Sequence, residues 1–100
     1  MNIPDKVKIG GIIYDVKIVA KPDRCDKDVD GNINYSEGVI SISNGFGESK
    51  DYKEYILIHE IVHGIFNLMC IEKNEELVEK IGKGLHAFIK DNPEMFKEGE

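Results

Sequence analysis

At 100 residues the chain has the length of one small domain, with a core just large enough to fold unaided. Its formal charge of −6, with no lysine-rich face, argues against a nucleic-acid partner. The opening Met1-Asn2-Ile3-Pro4-Asp5-Lys6 lacks the apolar core of a signal peptide, and the longest run without Asp, Glu, Lys or Arg, Ile61 to Ile71, is far too short to span a bilayer.

The first half reads as strands. Val7-Lys8-Ile9 leads into Gly10-Gly11, and a glycine pair between two such runs signals a hairpin. Ile12 to Ala20 then alternates, with Tyr14, Val16, Ile18 and Ala20 on one face and Asp15 and Lys17 on the other. Pro22 ends that strand. Isolated Cys25 follows in a polar loop; it and Cys70 are expected as reduced thiols in a cytoplasmic protein. Val39-Ile40-Ser41-Ile42-Ser43 alternates again with Ile40 and Ile42 inward, and Asn44-Gly45-Phe46-Gly47 breaks the chain.

The second half reads as helical. Ser49 is a suitable N-cap, and Asp51 and Glu54 complement the start of a helix expected from about 50 to 69. Asn74 caps a second helix, about 75–90, whose apolar stripe is Leu77, Val78, Ile81, Leu85, Phe88 and Ile89. Asp91-Asn92-Pro93 stops it, and Gly82 suggests a close approach between the helices. These elements predict a single α+β domain over 1–100: an antiparallel sheet of about three strands packed on a two-helix hairpin.

The first helix carries His59-Glu60-Ile61-Val62-His63, an H-E-x-x-H run. Imidazoles four residues apart lie one turn above the other on the same side of a helix, so their ring nitrogens can share one zinc ion. Glu60 stands on a neighbouring stripe, where its carboxylate can reach a metal-bound water as general base. The bland alternative is an amphipathic core helix with two satisfied histidines, since both lie at the margin of the apolar arc beside Ile56 and Phe66.

A catalytic zinc needs a third protein ligand, and the candidates are Glu72, Glu75, Glu76, Glu79 and His86. In an antiparallel helix hairpin, residues equally far from the turn lie side by side. At 1.5 Å per residue, His63 stands about 9 Å before the turn and Glu79 about 7.5 Å after it. Glu79 is therefore the expected ligand. Glu75 and Glu76 read as helix-start charges, and His86 as exposed or as a supporting hydrogen-bond donor. The implied chemistry is amide hydrolysis: Glu60 takes a proton from the attacking water and passes it to the leaving amine. The strand over 39–43, placed at a sheet edge, would hold an extended peptide by main-chain pairing.

A short sheet, an H-E-x-x-H helix and a glutamate-bearing helix resemble a minimal zincin of the gluzincin type. The chain is especially similar to the small metallopeptidase-like proteins of the ImmA/IrrE group of bacteria and phages. Leu57 to His63 and, less specifically, Glu75 to Gly82 carry the likeness, whose layout spans roughly residues 7 to 93. The resemblance implies His59 and His63 as zinc ligands, Glu60 as catalytic base and a downstream helical glutamate, here Glu79, as third ligand. A peptide or protein substrate goes with it.

A second motif competes. Asp26 to Glu37 fits the twelve-residue EF-hand loop, with oxygen ligands from Asp26, Asp28, Asp30, the Asn32 carbonyl and Glu37, and Gly31 at the sharp turn. Its flanks are β-type where an EF-hand requires helices, so any calcium (Ca2+) site would be an isolated loop. Two alternatives thus stand beside the peptidase: a zinc-containing regulatory module without turnover, and a calcium-responsive interaction domain.

Overall fold

The computed structural model describes residues 3–20, 30–44 and 49–96. Four strands, β1 (Lys6–Ile9), β2 (Ile12–Val19), β3 (Gly31–Asn34) and β4 (Val39–Ser43), precede two helices, α1 (Lys50–Leu68) and α2 (Glu75–Asp91). A 3₁₀ turn, Pro93–Phe96, follows. The α+β class is as expected. Among the described residues no helix is long and apolar enough to cross a membrane.

The β1–β2 hairpin forms where the glycine pair places it. Gly10 and Gly11 have φ of 58° and 86°, the two left-handed residues of a tight hairpin turn, and Ile9 pairs with Ile12 across it. The rest of the sheet departs from the expectation in two ways. It has a fourth strand, and it is mixed: the order is β1-β2-β4-β3, with β4 parallel to β2 and antiparallel to β3. Gly-Asn-Ile-Asn contains a single apolar residue, so β3 shows no alternation to read. It is held by backbone pairing instead. The Asn34 side chain accepts from the Glu37 N–H (2.9 Å) and the Ser36 hydroxyl (3.0 Å), and the Gly38 N–H closes onto Asn34 O (2.9 Å). Consequently β4 is an inner strand, not the edge expected of it. The edges are β1 and β3, and both meet α1, β3 more extensively.

α1 is covered on two sides because Ile56-Leu57-Ile58 wraps apolar side chains around it. Ile56 and Leu57 pack on the sheet against Ile9, Tyr14, Ile40 and Ile42. Ile58, Val62 and Phe66 pack against Val78 of α2, with Leu85 and Ile89 beside them. Half of the expected α2 stripe stays outside this contact: Leu77, Ile81 and Phe88 are each 40 % exposed or more. Both caps are as expected, the Ser49 hydroxyl accepting from Tyr52 N–H (3.1 Å) and the Asn74 side chain from Leu77 N–H (3.0 Å).

α1 ends in a Schellman turn. The Cys70 N–H bonds to Asn67 O (3.2 Å) and the Ile71 N–H to Phe66 O (2.8 Å), with Cys70 left-handed at φ 59°. An L-residue with a Cβ is disfavoured there, where glycine is the usual occupant. Cys70→Gly is therefore expected to raise stability by about 0.5–1 kcal/mol, read as a higher urea midpoint at unchanged slope. Cys70 itself is exposed, while Cys25 lies outside the described residues.

Candidate metal centre

His59 and His63 stand one turn apart on α1, their ring centroids 5.0 Å from each other, and both rings are mostly shielded from solvent. They meet a carboxylate at the N-terminus of α2. Glu75 Oε1 is 2.8 Å from His63 Nε2, and its Oε2 is 3.5 Å from His59 Nε2. One donor atom from each of the three side chains falls within 4.8 Å of the others. Ligands about 2.1 Å from a tetrahedral zinc lie about 3.4 Å apart, so the cluster needs little adjustment to close on one ion.

The carboxylate is Glu75 rather than the expected Glu79, which instead faces Lys83 at 3.6 Å. Distance from the turn sets a residue's height on the helix, not its direction. α2 presents Gly82 to α1: a Cβ built there would lie 3.5 Å from His59 Cα, an ordinary contact that leaves room for little more. At 100° per residue, Glu75 stands only about 20° round from Gly82 and Glu79 about 60°. Glu76 points away and pairs with Lys80 at 3.4 Å. The helix-start role expected of Glu75 and its place beside the histidines are compatible, since the first turn of α2 is where the chain returns to α1.

Glu60 is buried, 7 % exposed, and its carboxyl is pushed up to about 7. Burial is the main cause and the Glu75 charge adds to it, while Lys73 opposes both. Burial likewise pulls the His63 imidazole below its usual value; His59 reinforces this and Glu75 partly offsets it. A neutral imidazole at pH 7 is the form that ligates a metal.

These groups open into a cleft of ≈ 480 Å³ that Glu60, His63 and Glu75 share with β3, Tyr35 and Lys73. The Tyr35 hydroxyl donates to His63 O (3.2 Å), tying the β3–β4 turn to α1. Gly31 lets β3 come this close. A Cβ there would meet Ile56 Cγ2 at 2.6 Å and Glu60 Oε2 at 3.1 Å. Tyr35, Lys73 and this role of Gly31 were not legible beforehand, because the Asp-Gly-Asn sequence signals a turn and Lys73 carries no pattern.

The calcium motif divides. Asp26 and Asp28 lie outside the described residues. Gly31, expected at a sharp turn, begins β3, and Asn32 is in register with Ser41 of β4. Asp30 accepts from the Tyr52 hydroxyl (2.5 Å), and Glu37 sits in the exposed turn after β3. A strand runs where the second half of a wrapped loop would be. Comparison with protein-family models, with curated proteins and with solved structures finds no match to this chain.

Proposed function

We propose that the chain is a zinc-dependent peptidase in which His59, His63 and Glu75 hold the metal and Glu60 is the general base. The observation that carries this reading is the convergence of two imidazole nitrogens and one carboxylate within 4.8 Å, beside a buried glutamate in an open cleft. Two histidines and a glutamate are a catalytic zinc set that leaves a fourth position open. When bound, zinc would supply Lewis-acid chemistry, acidifying water towards a pKa of about 7 and polarising the scissile carbonyl.

The chain's own residues do the rest. Glu60, on the stripe next to the histidines, takes the proton of the attacking water and returns it to the leaving amine. Its low-polarity surroundings hold the proton affinity near the working pH, which suits a group that must both accept and release. β3 has no strand on its outer side among the described residues and lines the cleft, so an extended peptide can pair with its backbone. The substrate strand is thus assigned to Gly31–Asn34, not to β4.

The test is cleavage of an unstructured peptide mixture by the full chain, followed by mass spectrometry. Hydrolysis should vanish with a chelator and return with zinc. Zinc bound without any cleavage would favour the regulatory module, and no zinc uptake would remove both readings.

A further inference from the structure

His86 was expected to be exposed or to serve the histidine pair, yet it is only 9 % exposed and lies at the other end of the helix pair. The Tyr55 ring stands between, 5.9 Å from the His59 ring and 6.1 Å from that of His86. His86 Nε2 is buried with no hydrogen-bond partner among the described residues. It is aimed at two carboxylates of the first turns of α1, 3.6 Å from Asp51 Oδ1 and 3.7 Å from Glu54 Oε1. Those gaps exceed the roughly 3.2 Å limit of a nitrogen–oxygen hydrogen bond. They approach the about 3.4 Å that separates two ligands of one tetrahedral zinc. Glu54 is itself buried, 4 % exposed, so this is not a loose surface cluster.

We propose that Asp51, Glu54 and His86 form a second site for a divalent transition cation of the zinc type, independent of the one on His59 and His63. An imidazole donor among two carboxylates selects zinc-like ions over calcium or magnesium. A cleft of ≈ 470 Å³, bordered by Asp51, Tyr55, Lys83 and His86, gives access and room for a water as fourth donor. The Lys90 ammonium, 2.5 Å from Asp51 Oδ1, occupies part of this negative site, and an incoming ion displaces it towards solvent. The role is structural. The ion would staple the N-terminal turns of α1 to the C-terminal half of α2, in a domain whose core is small.

Titration calorimetry of the full chain with zinc chloride tests this. Two equivalents are expected, one lost in His63→Ala and the other lost in Asp51→Asn and in His86→Ala. In a His59→Ala/His63→Ala chain, zinc should still raise Tm, and adding Asp51→Asn should abolish the rise. If His86→Ala does not fold, Asp51→Asn decides, since Asp51 is an exposed residue. Survival of both equivalents in Asp51→Asn, or a single equivalent that His63→Ala removes, would overturn the second site. A single equivalent lost in Asp51→Asn and untouched by His63→Ala would support it while removing the peptidase centre.

Discussion

Glu60→Gln is expected to lower peptide hydrolysis by about 10²–10⁴-fold or more while the protein keeps its zinc, because a positioned general base contributes on that order. Glutamine matches glutamate in size but cannot take a proton, so the cleft keeps its shape and loses only the proton carrier. The ligands are untouched, since Glu60 is not one of the three clustered groups. Single-turnover cleavage measured beside metal content separates the two effects. A variant that loses activity and zinc together would mean that Glu60 serves the metal, and one that keeps full activity would place the base elsewhere.

The same substitution should make the metal-free protein more stable at pH 8, by an amount on the order of 2–3 kcal/mol. The Glu60 carboxyl is raised from 4.5 to about 7 in the folded state, so the folded chain holds this proton more tightly than the unfolded chain does. As pH climbs, the unfolded chain releases it first. Stability therefore falls between about pH 4.5 and 7 and is flat above, as far as this group is concerned. Glutamine stays neutral, so the gain over the parent appears through that window and is absent at pH 4. Urea midpoints at pH 4, 6 and 8 measure it. Zinc should shrink the difference at pH 8, because a nearby cation favours the ionised carboxylate.

Most of the candidate metal site was legible in the sequence because it is local. The spacing of His59 and His63 and the side of the helix that they share follow from helix geometry alone. So do the Ser49 and Asn74 caps, which place both helices to within a residue or so. What failed depends on how elements meet. Glu79 has the right height on α2 but the wrong direction, and the direction is set where Gly82 of α2 approaches His59. β3 was hidden because Gly-Asn-Ile-Asn gains its order from its neighbour β4 and from the Asn34 turn, not from its own pattern. With β3 unseen, β4 took the edge by default. Asp51 and Glu54 looked like helix-start charges because nothing local reveals that His86 would be buried opposite them.

An anomalous-scattering map of zinc-loaded crystals addresses the centre most directly. A peak is expected about 2.0–2.2 Å from Nε2 of His59, Nε2 of His63 and one carboxylate oxygen of Glu75. No peak between the two rings, or a peak there held by Glu79 with Glu75 turned into solvent, would contradict the proposed centre.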